Sequence, residues 1–112
     1  MNAYTEKKID QNAFERTFSF STSDEYLVWH RDREDREITV LSSDGWMFQL
    51  ENNLPFLMKE GQNIFVKKGD FHRIIKGSGD LKLLVLKKNR SARSFRVEKL
   101  IGIIDKARQD DL

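Results

Sequence analysis

Apolar residues recur at every second position in several short stretches of this chain, the spacing of strands that bury one face. In residues 14–20, Phe18 and Phe20 alternate with polar Thr17 and Ser19, which predicts a strand. Residues 21–25 then read as a turn. The run YLVWHRD at residues 26–32 would, as a strand, carry Tyr26, Val28, His30 and Asp32 on one face and Leu27, Trp29 and Arg31 on the other. Both faces hold apolar bulk, so this strand is expected to be covered on both sides. Further strands are predicted at residues 36–41, 46–50, 64–66, 71–76 and 81–86, divided by turn signals such as Ser42-Ser43-Asp44-Gly45 and Gly77-Ser78-Gly79-Asp80. Short strands at such regular spacing point to an all-β sandwich or barrel.

The tail changes period. Val97, Leu100, Ile101 and Ile104 are spaced by three and four, which predicts an amphipathic C-terminal α-helix over residues 95–108. The expected division is a polar leader at 1–13, a β-barrel at 14–90, and a basic connector with the helix at 91–112. The run KKNRSARSFR at residues 87–96 holds five basic residues, yet only Phe95 interleaves them, so it reads as a solvated connector.

Composition narrows the function classes. A chain of 112 residues with 38% hydrophobic residues can build one core. Lys+Arg 20 against Asp+Glu 18 leaves +2, a balance that argues against a dedicated nucleic-acid or membrane binder. Without cysteine the chain has no disulfides and no thiolate metal site, and a cytoplasmic address is expected. No stretch approaches the roughly 20 apolar residues of a membrane helix.

The sequence GQNIFVKKGDFHRIIK at residues 61–76 resembles the second motif of the cupins, with Gly61, Gly69 and His72 at matching positions. Lys67 stands where that family usually has proline, and Lys76 where it has asparagine. The first cupin motif can be laid on WHRDREDREITVLSSDG from His30, with Asp32 in place of the second histidine. Its third position has two registers. One puts the carboxylate of Glu37 there; the other puts Arg36 there and aligns Val40-Leu41 with a pair common in cupins. The second register is preferred, because the pair anchors the whole strand.

The resemblance implies a cupin-type double-stranded β-helix, a jelly-roll barrel, and a small-molecule ligand in its interior. Ligand-binding candidates are His30, Asp32, Arg36, His72 and Gln49. In cupins that hold a metal, imidazoles and a carboxylate converge on iron, manganese, nickel or zinc. The Glu37 register would supply His30, Asp32, Glu37 and His72 as ligands to such a divalent transition metal. The Arg36 register places a permanent positive charge beside Asp32, which disfavours a tightly held cation and suits a polar or anionic ligand. Three readings follow: a binding protein for such a ligand, a metal-dependent dioxygenase, isomerase or epimerase, and a non-catalytic dimeric scaffold. Single-domain cupins are commonly homodimers, and that is the expected assembly.

Overall fold

A computed structural model describes residues 3–88. Eight strands run in the order β1 Thr5–Asp10, β2 Ala13–Phe18, β3 Asp35–Ser42, β4 Met47–Leu50, β5 Phe56–Leu57, β6 Asn63–Val66, β7 His72–Ile75 and β8 Leu81–Lys88. They form two antiparallel sheets, one of five strands in the order β1-β2-β8-β3-β6 and one of three in the order β5-β4-β7. No helix among the described residues is long and apolar enough to cross a membrane. The predicted C-terminal helix and most of the basic connector lie outside the described residues.

Register explains which side chains meet. Ile38 lies opposite both Val85 of β8 and Ile64 of β6, and Arg16 of β2 lies opposite Leu83, which pairs in turn with Val40. Directly opposed residues share a face. The inner face of the larger sheet therefore carries Arg36, Ile38, Val40, Ile64, Val66, Leu83 and Val85. The smaller sheet answers with Phe48, Phe56, His72 and Ile74, since Phe48 pairs with Phe56 and Ile74, and Leu50 with His72. Between the sheets lies the core, in which Trp46, Phe48, Val40, Val66 and Leu81 are almost fully buried.

The polar residues 5–10, read from sequence as part of a leader, form β1 against β2 in a hairpin. Four of its six residues are exposed, so the strand has no buried face to leave an alternating signature. Its backbone ladder and the Arg16–Glu6 ion pair at 2.8 Å hold it instead. β5, only two residues long, was also without a signal.

The predicted strand at 26–32 is corrected. Asp24–Tyr26 is a turn of 3-10 helix, and the rest meets the sheet through one isolated bridge between His30 and His72. β7 is four residues long and gives this segment no longer ladder. Nor is the segment covered on both sides, for Val28 is 56% and Trp29 41% exposed. Alternation holds only from Trp29 onward, where His30 and Asp32 line the cavity and Trp29 faces outward over Arg73; before it, Leu27 packs on the core and lines the cavity beside the exposed Val28.

One close approach locks the end of the barrel. The turn at Gly77 to Gly79 docks on the Asp44–Gly45 turn through Ser78 N–H to the Asp44 carbonyl at 2.9 Å, and Trp46 Nε1–H donates to the Gly79 carbonyl at 2.7 Å. A Cβ on Gly77 would meet the Asp44 carbonyl and the backbone of Gly45 and Trp46. Gly77→Ala is therefore expected to destabilise the protein by about 1–3 kcal/mol, and Trp46→Ala by about 3–5 kcal/mol. Urea unfolding followed by far-UV circular dichroism measures both, and a midpoint unchanged in Gly77→Ala would contradict the tight docking.

Candidate functional site

Two stretches more than forty positions apart meet at the mouth of the barrel. The His30 and His72 backbones exchange both antiparallel hydrogen bonds, His30 N–H to the His72 carbonyl at 3.0 Å and the reverse at 2.9 Å. Their rings stand edge to face with centroids 4.2 Å apart, and Phe48 stacks on His72 at 5.8 Å. Two residues after His30 the alternation brings Asp32 to the same side. The Gly69 N–H fixes the Asp32 carbonyl at 3.0 Å, and Gly69, a motif glycine, has φ +83°, a conformation that favours glycine.

The hydrogen bonds assign the imidazole tautomers. His72 Nδ1 lies 2.9 Å from the Asp70 carbonyl and His30 Nδ1 lies 3.1 Å from the Val28 carbonyl. A carbonyl only accepts, so each Nδ1 carries a proton, and in the neutral ring each Nε2 presents a lone pair. Asp32 Oδ2 sits 3.2 Å from His72 Nε2, yet it is buried and makes no well-directed hydrogen bond. A protonated His72 would donate to that oxygen across this distance, whereas with neutral rings the three groups face one another as electron-pair donors. One donor atom from each of His30, Asp32 and His72 lies within 4.8 Å of the other two.

That arrangement fits a metal ion. Ligating histidines usually donate their second ring N–H to a backbone carbonyl or carboxylate, as both do here. A tetrahedral ion with bonds of about 2.1 Å spaces its donors about 3.4 Å apart. The set must close slightly, and exposed His30 has room to turn.

Arg36 completes the cluster. Its Nη2 lies 3.2 Å from Asp32 Oδ1, and its Nε and Nη2 lie 3.1 Å and 3.0 Å from Glu34 Oε1. Its side chain is only 14% exposed. Alternation with Ile38 and Val40 turns it inward, and the same alternation turns Glu37 outward. There Glu37 accepts from Asn63 Nδ2 at 2.7 Å and pairs with Lys88 Nζ at 2.8 Å. Glu37, a candidate fourth ligand from sequence, is on the wrong face of β3 to join the cluster. Gln49 is also placed elsewhere, on the outer face of β4, where it accepts from Arg73 Nε at 2.8 Å and donates to the Asn53 carbonyl at 2.9 Å.

The cluster opens on a cavity of about 310 Å³, lined also by Tyr4, Arg16, Phe18, Ile38, Phe48 and Ile74. This is the lower end of the size for small-molecule sites, with apolar walls and a few convergent polar groups. A larger groove of about 640 Å³ beside Trp29, Gln49 and Phe71 lies on the outer face of the smaller sheet. It holds none of the cluster, so the cavity between the sheets is the candidate site. Sequence reasoning missed Glu34, taken as part of a charged turn. It also missed Arg16, although alternation with Phe14 and Phe18 placed it inward.

Electrostatics follow from these contacts. Burial raises the Asp32 carboxyl, but His72, Arg36 and His30 together outweigh it and hold it below its ordinary value. His30 is lowered, chiefly by desolvation of its inner edge and further by the positive charges nearby, against the pull of the Val28 carbonyl and Asp32. Glu37 is lowered by its bond to Lys88, with Asn63 adding to it against a smaller effect of burial.

No family model matches the sequence, and no curated protein matches it. Solved structures do match. A cupin with an RmlC-like double-stranded β-helix from Methanocaldococcus jannaschii superposes with TM-score 0.58 at 16% identity, over 78% of this chain and 81% of its own. A cupin domain from Bordetella pertussis Tohama I gives 0.55 at 13%, over 79% and 96%. Substrate-bound FeII HppE gives 0.56 at 15% over 76% of this chain, which spans about half, 52%, of that protein. The chain is therefore a small protein of the cupin fold, built as two antiparallel sheets of the double-stranded β-helix type.

All three shifts act on stability in the same direction. Depressed carboxylates stabilise the folded state above their ordinary values of 3.8 for Asp32 and 4.5 for Glu37, and that contribution is lost as pH falls through the lower folded values. A histidine depressed below 6.5 binds its proton more readily when unfolded, so its contribution is full above that pH and declines beneath it. Metal-free protein is expected to lose urea resistance steadily from pH 7.5 to pH 3. Asp32→Asn should flatten the most acidic part of that curve, and a wild-type midpoint that rose on acidification would contradict the assigned ionisation.

Proposed function

We propose that this protein binds a divalent transition metal through His30, Asp32 and His72 and uses it to hold a small polar or anionic molecule in the barrel. The observation that carries this reading is the meeting of two imidazoles, each with Nδ1 held by a backbone carbonyl, with the buried Asp32 carboxylate, all within 4.8 Å of one another. A 2-His-1-carboxylate set leaves open positions and suits ions such as iron(II). HppE, a structural neighbour described with FeII and with substrate, shares the fold. Likeness of fold supports the placement of a ligand in the barrel, and the chemistry of the donors supports the ion.

The bound ion would act as a Lewis acid and an anchor for an oxygen of the ligand. The chain's own residues do the rest. His30 and His72 supply neutral donors held in one tautomer by backbone carbonyls. Asp32 supplies negative charge from a side chain that is only 7% exposed. Phe48, Ile38 and Ile74 form apolar walls that exclude water, and Arg36 presents a guanidinium to an anionic group. A second reading, a metal-free anion receptor, draws on that same inward guanidinium.

Titration of chelator-stripped protein with Mn(II), Fe(II), Ni(II) and Zn(II) separates the two. The expected result is saturation at one ion per chain, with affinity reduced about 100-fold or more in Asp32→Asn and in His72→Ala. Glu37→Gln and Gln49→Ala should change it by no more than about twofold, since neither side chain reaches the cluster. Uptake that survives intact in Asp32→Asn, or no uptake by wild type accompanied by stabilisation with anions alone, would replace the metal reading with the receptor reading.

A further inference from the structure

Charge accounting at the cluster leads beyond the presence of an ion. Asp32 and Glu34 contribute two negative charges and Arg36, ion-paired to both, one positive. The group as it stands therefore carries a net formal charge of minus one. A divalent cation alone would turn this to plus one, and a monoanion alone would turn it to minus two. Together they bring it to zero. Net charge among apolar walls is penalised by desolvation, so the doubly occupied state is favoured over either singly occupied one.

Geometry places the two charges as neighbours. Asp32 divides its carboxylate, with Oδ1 on Arg36 Nη2 at 3.2 Å and Oδ2 toward His72 Nε2 at 3.2 Å. A cation on Oδ2 thus sits one carboxylate width from a guanidinium and is repelled by it. The guanidinium is held through Nε and Nη2 by Glu34, while Nη1 makes no hydrogen bond among the described residues. An anion placed above Asp32 can accept from Arg36 and reach the ion at the same time.

We infer that Arg36 makes metal binding conditional on the ligand: the ion and a small monoanion, a carboxylate or phosphonate, are taken up cooperatively. The inference rests on the metal reading above and deepens it. Arg36 weakens the ion in the empty barrel and becomes an attraction once an anion bridges the two. Reciprocity requires the metal to tighten the anion by the factor by which the anion tightens the metal.

The test is a titration with Mn(II), free ion read by electron paramagnetic resonance, in sodium acetate, in sodium methylphosphonate and in sodium chloride at equal ionic strength. In wild type, acetate or methylphosphonate is expected to tighten Mn(II) binding about tenfold relative to chloride. Arg36→Met should bind Mn(II) more tightly than wild type in chloride, and the anion effect should vanish or reverse, because its empty cluster carries minus two and the ion alone neutralises it. Arg36→Lys keeps the charge and should keep part of the coupling. Circular dichroism checks that each variant is folded; should Arg36→Met not fold, wild type and Arg36→Lys still decide. Mn(II) binding that is equal in all three salts, or unaltered in folded Arg36→Met, overturns the coupling while leaving the metal site standing. Failure of wild type and both variants to bind Mn(II) in any salt overturns the metal reading and the coupling with it.

Discussion

Two backbone hydrogen bonds between His30 and His72 hold the candidate site together. The placement of His30 and Asp32 follows from that single rung, because it sets the register of an otherwise irregular segment against β7. With His30 turned to the cavity, the two-residue repeat of extended chain delivers Asp32 to the same side and sends Trp29 out. A slip of one residue would exchange these faces, removing both the imidazole and the carboxylate from the interior. The rung is supported from behind by the Gly69 N–H on the Asp32 carbonyl and by the ring of Phe48 on His72.

Much of this was legible wherever a strand had one face in the core. Arg36 shares parity with Ile38 and Val40, and Glu37 does not, so the hydrophobic pattern of β3 already distinguished them. The same rule, applied to Trp46, Phe48 and Leu50, would have sent Gln49 outward, where it lies against Arg73. The two glycine positions of the second motif, Gly61 and Gly69, both adopt positive φ, which is why spacing survived there while Lys67 and Lys76 replaced other residue types. Lys76 has its own task, donating to the Thr22 carbonyl at 2.8 Å.

What stayed hidden had no periodic signal. β1 is an exposed ribbon of polar residues, and its pairing is a property of backbone and turn. The 26–32 segment looked like a strand because its side chains alternate, yet strands need partners, and β7 offers one rung. Glu34 was hidden for a different reason. A charged turn is ordinarily solvated, and only the inward path of Arg36 draws that carboxylate down to make a chain of ions from Glu34 through Arg36 to Asp32. Such a chain is a positional device: each member holds the next at a defined distance, and removing one would leave a neighbour buried without its counter-charge.

The strand that opens the chain bears on how copies of the protein can meet. Among the described residues the larger sheet ends in β1, which carries exposed Lys7 and Lys8, and charged side chains along such an edge oppose the addition of a further strand. The opposite border, β6, is only four residues long. At both margins of the described sheet, lateral pairing with a further strand is thus discouraged.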